Sequence, residues 1–210
     1  MYRLPLRLLF LQRSCRTDGD SEDNLGRGIA NSPLGSKAIV YTKAGKYIRW
    51  KRGSKISGAI TPWDPFTVPI EERVVVPDYS RAGAHQSFQE SMQRMGGLDG
   101  CHTLRLHDPD SIEGGMEAAV SADGLIAGLR ELREQGKIEQ VSFGMNANVD
   151  HKVITPNAGG AETTAWTPAM IIDMIRAVPE GTFDSCLLVR RHDIAAIWVA
   201  FFSRWQRYRC

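Results

Sequence analysis

Residues 98–110 read Leu-Asp-Gly-Cys-His-Thr-Leu-Arg-Leu-His-Asp-Pro-Asp, and residues 130–146 read Arg-Glu-Leu-Arg-Glu-Gln-Gly-Lys-Ile-Glu-Gln-Val-Ser-Phe-Gly-Met-Asn. Residues 101–106 predict a strand that delivers His107 at its C-terminal end. Leu125, Leu129 and Leu132 recur at helical spacing, and Gly136 stops that helix. Residues 138–143 predict a second strand, ending towards Gly144-Met145-Asn146. Strand, helix and strand form a βαβ unit. Its polar residues gather at the strand ends, where open α/β sheets and β/α barrels place their sites.

The pattern extends in both directions. Upstream, Ala-Ile-Val-Tyr-Thr at 38–42 is apolar, β-branched and aromatic, and predicts a strand closed by Lys43. A capping cluster, Thr-Asp-Gly-Asp-Ser-Glu-Asp-Asn at 17–24, precedes a helix expected from Ser21 towards Ala30. Residues 44–70 are rich in Gly, Pro, Lys and Trp and read as one long loop, with a short strand expected at 73–77. A helix after Tyr79 carries Phe88, Met92 and Met95 on one face and stops at Gly96-Gly97. Downstream, residues 147–165 read as a polar loop, 166–177 as a helix and 186–189 as a strand. This alternation predicts a parallel α/β sheet with about four β/α repeats. A full eightfold barrel takes about 250 residues, more than the 210 of this chain.

Composition excludes several classes. A formal net charge of +2 gives no basis for nucleic-acid binding. No apolar run approaches the roughly 20 residues of a spanning helix. Cys15, Cys101, Cys186 and Cys210 share neither metal-ligand nor redox spacing, so reduced thiols and the cytoplasm are expected. Residues 1–19 carry Arg3, Arg7, Arg13 and Arg16 with leucines, which reads as a basic terminus or an organelle-targeting segment. Residues 190–210 turn from apolar and aromatic to basic, which suits a capping helix, an interfacial helix or a stray tail.

Lys43 and His107 are the chemical candidates, because neighbouring parallel strands would open both on the same face. A histidine there can hydrogen-bond a carbonyl or alcohol, and a lysine can lower the pKa of an acid beside it. Each also has a plain reading, as a solvated loop charge and a turn residue. Asn146 offers a donor and an acceptor together. Asp108 and Asp110 flank Pro109 and read as turn and capping acids, since no third group stands at metal-ligand spacing. Ser142, Asp150 and His107 do not read as a hydrolase triad, for lack of a Gly-x-Ser-x-Gly elbow.

Taken in order, these pieces resemble the aldo/keto reductase superfamily over residues 20–189, and within it the sugar 1-dehydrogenases acting on D-threo-aldoses or L-fucose. The resemblance is carried by Ser-Glu-Asp-Asn-Leu-Gly at 21–26, Tyr-Thr-Lys-Ala-Gly at 41–45 and Ser-Phe-Gln-Glu-Ser-Met-Gln-Arg-Met-Gly at 87–96. Leu-His-Asp-Pro-Asp at 106–110, Leu-Arg-Glu-Gln-Gly-Lys-Ile at 132–138, Gly-Met-Asn at 144–146 and Pro-Glu-Gly-Thr-Phe-Asp-Ser-Cys-Leu-Leu at 179–188 continue it.

The resemblance implies a partial (β/α)8 TIM barrel and hydride transfer between NADP or NAD and an aldose or other small carbonyl compound. It puts Lys43 on the family's lysine, His107 on its histidine and Asn146 near the asparagine that holds the nicotinamide carboxamide. The chain departs from the pattern at 14–20, where Ser-Cys-Arg-Thr-Asp-Gly-Asp replaces the segment bearing the family's tyrosine; Asp18 or Asp20 is left to stand for its aspartate. It departs again after Val189, where the remaining strands are not recognisable. Three functions are therefore expected: an NAD(P)-dependent oxidoreductase impaired by truncation, an inactive barrel fragment that binds a partner, or, from the C-terminal run alone, a membrane-peripheral protein using its basic ends. Unpaired barrel edges would favour self-association in the first two cases.

Overall fold

A computed structural model describes residues 9–11, 20–50, 73–145 and 168–188. Five strands lie in one sheet: β1 (Leu9–Leu11), β2 (Ile39–Ala44), β5 (Cys101–His107), β6 (Ile138–Met145) and β7 (Ser185–Leu188). Their order is β1-β2-β5-β6-β7 and every pairing is parallel. A helix stands between each successive pair: α1 (Asp20–Asn31), α2 (Arg81–Arg94), α4 (Leu125–Glu134) and α5 (Pro168–Arg176). Chain order and sheet order therefore coincide, as the β/α repeat requires.

The expected strands and helices fall close to the observed ones, with two differences. Residues 44–70 are not loop throughout: β3 (Lys46–Trp50) pairs antiparallel with β4 (Arg73–Pro77), from Lys46↔Pro77 to Trp50↔Arg73. Gly45, at φ 103°, turns the chain from β2 directly into this ribbon, so a composition that looks loop-like hides a strand one residue after another. The Gly/Ala-rich stretch after His107 reads as helix-like in sequence, and it is also not one helix. Asp108 is left-handed at φ 41°, a short 3-10 turn follows at Pro109–Ser111, and α3 (Gly115–Val120) precedes α4.

The helix ends follow from local chemistry. Ser80 caps α2, its hydroxyl accepting from Gly83 N at 3.0 Å, and Asp78 Oδ1 in turn accepts from Ser80 N at 3.0 Å. α4 closes on Gly136, at φ 69°, with Gly136 N donating to Arg133 O (3.0 Å) and Lys137 N to Leu132 O (2.9 Å). This is the paired closure that a left-handed residue after a helix permits.

Register sorts the sheet residues onto two faces. Thr42 pairs Leu104, Ala44 pairs Leu106, and Leu104 and Leu106 pair Val141 and Phe143. This face packs on the helices through Phe88, Met92, Leu125, Leu129, Leu132 and Ile171. It contains one polar network: Glu22 accepts from Thr42 Oγ1 (2.6 Å) and from Arg94 Nε (2.5 Å), joining α1, α2 and β2. The other face carries Tyr41, Lys43, Thr103, Arg105, His107, Ser142 and Gly144. Its upper end, at the strand C-termini, is where the chemical candidates meet.

Candidate functional site

Lys43 lies one residue before the end of β2, and His107 is the last residue of β5. Lys43 Nζ stands 3.3 Å from His107 Nε2. Asp108 Oδ2 is 3.4 Å from the same nitrogen. His107 is only 4 % exposed. Burial, then the charges of Lys46, Lys43 and Arg105, hold its pKa well below the usual histidine value, so the ring is neutral at pH 7. A neutral ring keeps one N–H donor and one acceptor, and Nε2 is the atom turned towards the lysine and the aspartate.

The backbone beneath the pair is fixed. Tyr79, buried at the start of α2, donates to His107 O at 2.8 Å and Asp108 O at 2.9 Å. Asp108 N donates to Gly144 O at 3.0 Å, carrying the β5–β6 ladder past the end of the strand. Two further charged groups stand close by, and of these Lys46 was not singled out by the sequence reading. Lys46, at the start of β3, bears on His107, Asp108 and Asp110. Asp110 is pushed up to about 7 by burial and by Asp108, and its Oδ1 is buried without a hydrogen-bond partner. Sequence reading treated Asp108 and Asp110 as turn acids; Asp108 does form the turn, and its carboxylate also faces the histidine.

Asn146 and residues 1–8, 12–19 and 189–210 lie outside the described residues, and with them Asp18, the C-terminal segment and all of the basic N-terminal segment but Leu9–Leu11. Asp20 opens α1. The three tyrosines with described side chains are engaged away from Nε2. Tyr79 serves the two carbonyls, Tyr47 donates to Asp78 Oδ2 at 2.9 Å, and the Tyr41 ring lies 5.2 Å from that of His102. No group of three or more His, Cys, Asp or Glu side chains could hold a metal among the described residues. No described helix is long and apolar enough to cross a membrane. A groove of about 770 Å³ runs along Lys37, His102, Lys137 and Glu139 at the opposite, N-terminal ends of the strands, away from the Lys43–His107 pair.

A parallel sheet in β/α order, with a lysine and a neutral histidine converging at its C-terminal edge, defines an α/β protein of the barrel class. The chain belongs to the aldo/keto reductase family, whose sequence profile matches residues 14–197. The family's fold is the (β/α)8 barrel, of which the described residues supply five parallel strands and their helices.

Among solved structures, an aldo-keto reductase from Bacillus halodurans in its holo form is 15 % identical with a TM-score of 0.50, covering 91 % of this chain and 47 % of its own. The glycerol dehydrogenase of Gluconobacter oxydans is 19 % identical with a TM-score of 0.47, covering 81 % of this chain and 37 % of its own. An aldo/keto reductase from Brucella melitensis is 11 % identical with a TM-score of 0.49, covering 87 % and 50 %. The chain thus spans half the length of these structures or less. No curated protein matches it.

Proposed function

We propose that this chain carries the carbonyl-binding half of an NAD(P)-dependent oxidoreductase acting on an aldose or other small carbonyl or alcohol. The observation that supports this reading is the 3.3 Å approach of Lys43 Nζ to the buried, neutral His107. A nicotinamide cofactor, when bound, supplies or accepts the hydride. The described donor set suits the reacting end of such a cofactor; Asn146 is the residue we assign to its carboxamide.

The chain's own residues act on the carbonyl oxygen. That oxygen sits between Lys43 Nζ and His107 Nε2, displacing the weak contact between them. As negative charge grows on it, the lysine ammonium and the Nε2–H of the ring both donate to it. Lys43 then passes its proton to the oxygen, taking the part that a tyrosine plays in the family. In the oxidative direction Lys43 recovers the proton from the alcohol. Asp108 Oδ2, 3.4 Å from Nε2, holds the ring with that nitrogen protonated.

The test is the change in absorbance of NADPH and NADH with a panel of aldehydes and of NADP+ and NAD+ with aldoses. Lys43→Met and His107→Gln should each lower kcat by roughly 10²–10⁴-fold, the usual worth of a positioned proton donor. Turnover unchanged in both variants overturns the assignment of Lys43 and His107.

A second reading is an inactive barrel fragment with a binding role; the chain covers 47 % of the Bacillus halodurans structure. A calorimetric titration with NADPH separates the two. Saturable binding supports the oxidoreductase, whereas a folded chain that binds no cofactor supports the fragment. A cytoplasmic location accords with the free thiols of Cys101 and Cys186.

A further inference from the structure

Arg105 lies two residues before His107 on the same face of β5, in register with Lys43 on β2 and Ser142 on β6. It is only 7 % exposed, and burial lowers its pKa. Its Nε donates to Ser142 Oγ at 3.1 Å; among the described residues this is the guanidinium's one hydrogen bond, and no carboxylate there pairs with it. A guanidinium this largely buried gains from an anion at its remaining N–H groups.

The path of the side chain shows where an anion would sit. A Cβ on Gly144 would stand 2.6 Å from Arg105 Cδ, so the arginine passes over the bare glycine. Gly144 is the register partner of His107. The stem of Arg105 therefore passes through the space beside the register partner of His107, which any larger residue at 144 would take, before its Nε meets Ser142. Lys43, Lys46 and Arg105 together bear positive charge on His107.

We propose that Arg105 holds the carboxylate of the substrate, and that the substrate is a short oxo acid whose carbonyl oxygen rests on Lys43 and His107. The substrate half of this inference rests on the carbonyl-reductase reading above. Two residues along a strand separate Cα atoms by about 6.6 Å. Neighbours this close on one strand face call for a short substrate, with its carboxylate near its carbonyl. A planar guanidinium fork matches a carboxylate with two parallel hydrogen bonds, which a lysine at this position would not provide.

The experiment uses the full chain and oxamate, a carboxylate probe that cannot be reduced, with neutral oxamide and inorganic phosphate as controls, followed by calorimetry. Oxamate should bind saturably, at least tenfold more tightly than oxamide, and Arg105→Leu should abolish that difference. Equal binding of oxamate and oxamide overturns the proposal, and so does displacement of oxamate by phosphate at equal concentration.

Because the leucine variant can fail to fold, the wild-type chain is also treated with phenylglyoxal and its arginine modification located by mass spectrometry. Oxamate should slow modification of Arg105 at least fivefold; an unchanged rate overturns the proposal. Reduction of neutral aldehydes without oxamate binding sinks the role of Arg105 and leaves the reductase reading standing. Protection of Arg105 by oxamate without turnover of any carbonyl sinks the reductase reading and leaves the anion site.

Discussion

The hydroxyl of Tyr79 reaches across from the start of α2 to the carbonyl of His107, 2.8 Å away, and shares its proton with the next carbonyl, that of Asp108. A helix and a strand end are thereby joined at His107. Removing the phenol oxygen takes one donor from each of two carbonyls. Tyr79→Phe should therefore destabilise the fold by about 1–3 kcal/mol, the cost of an unsatisfied buried polar group. Urea unfolding checks this, and a variant as stable as the parent would show that the bond contributes nothing.

Glu22 and Arg94 form a buried pair, 3 % and 5 % exposed at the side chain, that ties α1 and α2 to Thr42. Breaking the pair from one side leaves a buried charge with weaker partners, Arg94 with Glu90 at 3.5 Å or Glu22 with the Thr42 hydroxyl. Arg94→Met and Glu22→Gln should each cost roughly 3–5 kcal/mol, and the double variant should cost less than the sum. A double-mutant cycle with additive losses would mean that the two side chains do not couple.

Asp110 titrates at about 7 in the fold against 3.8 normally. The folded state therefore favours the protonated acid. Its contribution to stability is complete below about pH 3.8 and declines as pH rises through 7. Asp110→Asn mimics the protonated form. It should raise stability at pH 8 by roughly 1–4 kcal/mol, one pKa unit being worth about 1.4 kcal/mol, and change little at pH 4. Denaturation of both proteins at the two pH values decides the matter; equal gains at each would rule out titration as the cause.

His107 has the opposite sign. Burial, with Lys46, Lys43 and Arg105, keeps it neutral in the fold, while the unfolded chain takes up a proton near pH 6.5. Stability should fall as pH drops below that point. His107→Gln should lose less stability between pH 7.5 and pH 5.5 than the parent, as read from urea midpoints. Parallel losses in both would place the acid sensitivity elsewhere.

Gly144 tests the path of Arg105. Its absent Cβ leaves the space that Arg105 Cδ occupies, 2.6 Å from where that atom would stand. Gly144→Ala should push the arginine aside and weaken oxamate binding about tenfold, with the far-ultraviolet circular dichroism unchanged. Unaltered oxamate affinity would show that the guanidinium does not depend on this gap.

The repeat of strand and helix was legible because its signals are local. Leu125, Leu129 and Leu132 keep a helical period, and Gly136 supplies the closing left-handed residue. Lys43 and His107 could be named from their positions at strand ends. β3 escaped because Gly45 passes the chain from one strand to the next without a loop, and Lys-Tyr-Ile-Arg-Trp sits in a stretch whose composition suggests a turn. Arg105 escaped for a different reason. Only the register of β2, β5 and β6 makes it a neighbour of Lys43 and Ser142, and register is a tertiary fact. Period-two alternation from His107 back to Arg105 was the one available signal.

The left-handed corner at Asp108 also bears on how this chain can drift. At φ 41° the position resists nearly every residue with a side chain, and aspartate, asparagine and glycine are the types that bear such a conformation most readily. Asparagine would keep the corner and lose the charge facing His107. Glycine would keep the corner and lose the side chain altogether. Any lineage that changes residue 108 without breaking the turn therefore passes through one of two doors, and each alters the histidine's surroundings before it alters the fold.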